Sequence, residues 1–295
     1  MSDRLARIEQ HRGWRYASPA LILMLGFTLG PTILVAAISL SDWQLGAASL
    51  AFVGLDNYAE LLSDRVFWRS LGNTFIYVGL YVPVSIVLAL ALALGVESSG
   101  RLRGFYRTVF FIPVTTTFVA MAVVWEFILH PDFGLVNAML ATVGVPKRNW
   151  LGEPDTVLVA LAAIGIWLRL GFYMVLFIAG LRSIPRELYE SAEIDGAASA
   201  WQRFRLVSWP MLAPTTLFVA VIALIQSFQV FETVAVLTKG GPSKASEVLV
   251  YTLYKEGFAF LRTAYGSAIT VVFLLIVFAI TIMKTLYFDR KVHYR

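Results

Sequence analysis

Apolar residues in this chain of 295 come in long uninterrupted blocks, and its plan is set by where polar and charged residues break them. Charge-free runs cover Tyr16–Ser41, Ser70–Val96, Thr108–Trp125, Leu206–Phe231 and Thr263–Met283, with lengths of 26, 27, 18, 26 and 21 residues. About 20 apolar residues in a helix cross the hydrocarbon of a bilayer, where every backbone polar group must be satisfied within the protein. Each run is therefore predicted to be a membrane-spanning helix. A sixth run, Thr156–Leu181, is also 26 residues long and carries Arg169 near its centre, so it reads as a span with one charge inside it. The predicted fold class is an all-α polytopic membrane protein with six transmembrane helices. Extended to the neighbouring turn signals, the spans fall at about 16–41, 70–96, 106–130, 156–181, 206–237 and 263–288. They form a transmembrane domain over 16–288, with tails at 1–15 and 289–295.

Composition agrees with lipid as the main solvent. Apolar residues make up 58% and charged residues 15%, where a soluble domain has about 45–50% and 25%. The absence of cysteine excludes disulfides and thiol chemistry. The net charge of +5 is spread between the apolar blocks rather than gathered in one patch, which points to membrane orientation and not to nucleic acid. With the N-terminus inside, cytoplasmic segments hold 15 Lys and Arg and exported segments hold eight, so both termini are expected in the cytoplasm. The first run, at 26 residues, exceeds the roughly 7–15 of a signal-peptide core and is expected to stay as an anchor.

Three exported connections, Asp42–Arg69, Pro131–Asp155 and Lys239–Arg262, carry turn signals and are too short for separate domains. The cytoplasmic segment 182–205 looks like structure instead. Ser183 is placed to cap a helix with Pro185 in its first turn. Glu187, Glu190 and Glu193 then lie three apart on one side, and Gly196 is suited to end the helix in a left-handed conformation. A second short helix from about Ala200 spaces Trp201, Phe204 and Val207 by three, until Pro210 interrupts it. The prediction is a helix-turn-helix with an acidic side and an aromatic side. Anionic lipid would repel four acids (Glu187, Glu190, Glu193, Asp195), which favours docking of a protein over lying on headgroups.

The run Glu190-Ser191-Ala192, then Gly196, then Leu206–Pro210 resembles the EAA loop of permease subunits of binding-protein-dependent ABC importers. The wider stretch Gly180–Ala197 is similar to the carbohydrate-uptake branch, which includes maltose-type and glycerol-3-phosphate-type importers. Phe52–Tyr58, Phe110–Pro113 and Leu237–Pro242 match the same branch, so the resemblance runs over nearly the whole chain. Ser191 replaces an alanine of the pattern, and Gly196–Pro210 is one residue longer than it, apparently at Ala197–Ala200.

The resemblance implies an ABC importer type I permease fold with a cytoplasmic helix-turn-helix coupling loop, in a multi-pass protein of a bacterial or archaeal cytoplasmic membrane. It implies partners: a second permease subunit in a heterodimer, two copies of an ABC ATPase and an extracytoplasmic substrate-binding protein. ATP and Mg are expected on the ATPase, with no cofactor in this chain and no enzymatic activity of its own. It would give Glu187, Glu190, Ala192, Asp195, Gly196, Trp201 and Phe204 to the ATPase contact, and the loops at Asp132–Asn137 and Lys239–Lys244 to the side that meets the binding protein. Lys239–Lys244 lacks the spacing of a phosphate-binding loop.

A path for a polar solute should appear as polar residues on one face of apolar helices. Gln226, Gln229 and Thr233 have helical spacing, with Ser227 and Glu232 to their flank; Asn73, Tyr77 and Tyr81 are four apart; Thr115–Thr117 and Tyr173 add hydroxyls. Such groups suit a neutral polyhydroxylated solute, and they equally join helices to one another. Arg169 has two readings: pairing with Glu126 or Glu232, or attraction of an anionic group on the solute. An ion-coupled carrier is the rival class, and it would want several membrane carboxylates and an internal repeat. No H-E-x-x-H or G-x-S-x-G is present for an intramembrane enzyme.

Overall fold

A computed structural model describes the backbone of residues 2–288 and the side chains of residues 16–282; the tail expected at 289–295 lies outside the described residues. The described chain is helical, with one isolated antiparallel bridge between Ser41 and Phe52. It forms two compact units, Met1–Asp64 with Leu253–Ile276, and Arg65–Thr252 with Val277–Arg295.

In the first unit, α1 (Ser2–Ile38) runs from the N-terminal segment through the first apolar run without a break. The chain then turns back on itself. The Asn57 amide donates to the carbonyls of Ser39 (2.9 Å) and Ser41 (2.8 Å), and the Ser39 hydroxyl meets the Tyr58 hydroxyl at 2.7 Å. These bonds set α2 (Asp56–Ser63) against the end of α1. Arg262 gathers Glu60 (2.5 Å) and Glu256 (3.1 Å) and lies over the Tyr265 ring. Burial pushes the Glu256 carboxyl above its ordinary range, against the opposing pull of Arg262. Gly257 and Gly266 let the chain before the last span press against it, since a Cβ on Gly266 would lie 2.7 Å from the Gly257 Cα.

The second unit is built on α3 (Arg65–Ser98) and α7 (Val157–Arg182), which pack along their lengths with Tyr77, Tyr173, Phe177 and Met174 fully buried in the core. Gly171 admits the carbonyl of Phe110 from α4 (Arg103–Thr115) at a place where a Cβ would collide with it. Glu97 at the end of α3 receives Arg107 (2.5 Å) and Arg182 (3.4 Å), with Arg103 at 3.7 Å, tying the ends of three helices.

The third and fifth predicted spans are not straight helices. Four described helices are long and apolar enough to cross a membrane, and the number reaches six only if each of two bent pairs is one span. α4 and α5 (Phe118–Ile128) meet at 103° across Thr116 and Thr117, which are extended. Pro113 causes part of this, since it cannot donate in the ladder and its ring crowds the turn before it. The Thr115 and Thr116 hydroxyls donate to the Ile112 (2.8 Å) and Pro113 (2.7 Å) carbonyls, satisfying acceptors at the break. These threonines, read from the sequence as part of a solute path, hold the bend.

Short helices complete the unit: α6 (Leu135–Ala141), α8 (Arg186–Ile194), α9 (Ala200–Arg203), α10 (Trp209–Met211), α11 (Ala213–Phe228) and α12 (Leu249–Tyr254), with α13 (Thr263–Phe288) entering from the first unit. The stretch from Ala200 to Met211 meets α11 at 66° around Leu212, between Pro210 and Pro214.

Candidate functional site

A cavity of about 290 Å³ opens among α3, α5, α7, α11 and the residues that follow α11. Its polar lining comprises Tyr77, Tyr81, Arg169, Gln226, Gln229, Glu232 and Thr233. Gly165 belongs to its wall because any Cβ there would meet the Tyr77 hydroxyl. The two α3 tyrosines stack at 5.7 Å, and the Tyr81 hydroxyl reaches the Tyr173 hydroxyl at 3.1 Å. Tyr173 in turn donates to the Gln226 Oε1 at 2.8 Å. Holding the amide by its oxygen leaves the Gln226 NH₂ group as a donor.

Six of the eleven residues read as a solute path thus line one cavity; Thr115–Thr117 lie at the α4–α5 bend, and Tyr173 and Asn73 stand outside the lining. Tyr173 is fully buried behind the lining and orients Gln226. Asn73 is spent elsewhere: its amide donates to the carbonyls of Lys244 (3.0 Å) and Glu247 (2.9 Å), fastening α3 to the turn after Leu237. Thr74 helps by accepting from the Leu249 N–H at 2.9 Å. Gln226, Gln229 and Thr233 share the lining as their spacing suggested, but not on one continuous helix. α11 ends at Phe228 and a π-helical turn occupies Val234–Thr238, so the chain swings Glu232 into the lining instead of leaving it on the flank. Arg169 forms no ion pair among the described residues, so the expected pairing with Glu126 or Glu232 is not made.

The segment between α7 and α11 folds as two short helices. Ser183 closes α7 instead of capping α8, its hydroxyl bonding the Gly180 carbonyl at 2.8 Å, and Pro185 occupies the cap position. Gly196 at φ +93° ends α8, with its N–H on the Glu193 carbonyl (3.1 Å) and that of Ala197 on the Ala192 carbonyl (2.9 Å). This is the left-handed double-bonded stop that glycine permits. Ser199 and Gln202 cap α9 reciprocally, and Arg203 pairs with Glu193 across the turn.

A π turn at Phe204–Ser208 follows α9. A π turn holds more residues than an α turn. It also divides the expected aromatic side: Val207 is buried, Phe204 half-buried, and Trp201 68% exposed while stacked on Phe204 at 5.5 Å. Ala192 and Tyr189 pack toward the core; Glu187, Glu190 and Asp195 are exposed, and Ile194 is 87% exposed.

The loop expected to meet a binding protein is organised around Asn137, 1% exposed. Its amide donates to the carbonyls of His130, Pro131 and Arg148, and its Oδ1 accepts from the Arg148 N–H (3.2 Å) and the Trp150 indole (2.8 Å). Nothing in the sequence marks this hub, since one asparagine in a short helix carries no sign of five bonded groups.

The model of the family described as the binding-protein-dependent transport system inner membrane component matches residues 82–294. The chain belongs to that family. This permease is 34% identical to the sn-glycerol-3-phosphate transport system permease UgpA of Agrobacterium fabrum, over 94% of each chain. It is 32% identical to the trehalose/maltose transport system permease MalF of Thermococcus litoralis, over 96% of this chain and 95% of that one. Among solved structures, a bacterial alginate ABC transporter in complex with an alginate pentasaccharide-bound periplasmic protein matches with a TM-score of 0.82 and 25% identity, over 97% of this chain and 98% of the other. The permease therefore has the type I importer fold of an inner-membrane ABC transporter subunit, as its EAA-like loop implied.

Proposed function

We propose that this permease forms one half of the membrane path of an importer for a sugar, polyol or glycerol-phosphate-like solute. A second permease supplies the other half, two ATPase subunits with ATP and Mg supply the work, and an extracytoplasmic binding protein delivers the solute. Both termini are cytoplasmic on this reading. Gln226, Gln229, Thr233, Tyr77 and Tyr81 contact the passing solute, with Tyr173 positioning Gln226.

One observation carries the proposal: the segment between α7 and α11 is a helix pair, with a glycine stop on the first helix and a capping box on the second, whose Glu190, Ile194 and Trp201 are exposed. Apolar side chains ringed by acids make a surface suited to a partner's groove. Closure of the ATPases would draw two such segments together and rock the attached helices between inward-open and outward-open arrangements.

Purification of the tagged chain tests this. An ATPase and a second permease are expected to co-elute, and Glu190→Lys is expected to lose the ATPase while keeping the second permease. A chain that elutes alone from gently solubilised membranes contradicts the proposal.

A further inference from the structure

The cavity is rich in donors and has one guanidinium without a partner. Arg169, the Gln226 NH₂ group, the Gln229 amide and the Thr233 hydroxyl all belong to its lining. The Thr233 residue is 6% exposed, and its Oγ1 is buried with no hydrogen-bond partner. A buried hydroxyl left unbonded is costly, and a charge placed within a membrane helix usually faces a polar path or a partner. Both residues line the same 290 Å³ space: Arg169 is exposed there and forms no ion pair among the described residues, whereas the Thr233 Oγ1 is covered. Glu232, the one acid of the lining, lies beyond ion-pairing distance of Arg169 among the described residues. Arg169 lies on α7 between Gly165, which sits against Tyr77, and Gly171, which sits against the Phe110 carbonyl.

We propose that Arg169 is a specificity-determining residue and that the transported solute carries an anionic group, a phosphate or a carboxylate, on a small polyol or sugar. The guanidinium takes the anionic oxygens through paired N–H donors, and the Gln226 and Gln229 amides donate to the oxygens beside them. The proposal rests on the importer reading above and adds the charge of the solute to it. A neutral sugar would leave the arginine unmatched at every passage.

The complete complex in proteoliposomes tests this with matched probes: sn-glycerol 3-phosphate against glycerol, and galacturonate against galactose. The solute retained by the copurified binding protein is identified by mass spectrometry alongside. The retained solute is expected to be anionic. ATP-dependent uptake is expected for the phosphate or the carboxylate probe, whichever group the retained solute bears, and its neutral counterpart should be at least about tenfold slower. Arg169→Gln should reduce that uptake by about tenfold or more, and Arg169→Lys should recover part of it, because the lysine restores charge without the fork. A neutral retained solute, or uptake in Arg169→Gln equal to wild type, overturns the proposal. In either case uptake that still needs ATP leaves the importer reading standing, whereas uptake independent of ATP removes both.

Discussion

A few side chains decide the geometry by what they bond across long stretches of sequence. Asn137 is the clearest case, since it closes the turn between α5 and α7 with both its donors and its acceptor. Asn137→Ala leaves the Trp150 indole and three carbonyls without that partner. It is expected to destabilise the solubilised complex by about 2 kcal/mol, read as a lower thermal midpoint, with Asn137→Asp, which keeps the acceptor and loses the donors, falling between. Gly171→Ala drives a methyl into the Phe110 carbonyl and is expected to lower the yield of folded protein, as close helix contacts in membranes depend on small residues. At this scale the sequence was half legible. Arg169 stood out because a lone charge in an apolar run has few benign readings. Asn73 was misread, because its position four residues from Tyr77 gave it the face of the tyrosines while its partners lie 171 and 174 residues away. Spacing reports a face; it does not report the bond that occupies it.

Periodicity located the elements and could not show where they bend. The straight spans α3 and α7 follow from unbroken apolar runs longer than a bilayer requires. The 103° break between α4 and α5 falls at the extended Thr116 and Thr117, where the Thr115 and Thr116 hydroxyls bond the Ile112 and Pro113 carbonyls at the end of the interrupted ladder. Prolines inside α1 and α3 are accommodated within continuous helices, so proline alone is no guide. Within the cytoplasmic pair, the glycine stop was legible from Gly196 itself, and the π turn after Arg203 was not, because no residue type marks it. The stop supplies a test. A β-branched side chain at φ +93° is strained, whereas asparagine tolerates that region. Gly196→Val is therefore expected to raise the ATP consumed per solute moved, and Gly196→Asn to leave it near wild type.

At the scale of the molecule, the distribution of Lys and Arg and the family assignment meet. The family places the chain in an inner membrane as part of a larger transport system. On the proposed topology, which rests on the excess of basic residues in alternate connections, the tails and the α8–α9 pair share the cytoplasmic side. A reporter fused at either terminus is expected to be active only in the cytoplasm, and a cysteine placed at Asp132 is expected to react only with reagent added from outside. On the proposed function a lone subunit offers one wall of a path and one of two levers, so the test needs the whole complex. The most direct test of the account follows solute uptake and ATP hydrolysis together in proteoliposomes that hold the complete complex, with wild type and Glu190→Lys compared. Uptake that requires ATP in wild type and falls by about tenfold or more in Glu190→Lys, where a reversed charge repels the docking surface, is the expected result. Undiminished uptake in Glu190→Lys, or uptake driven by a proton or sodium gradient without ATP, would contradict the account.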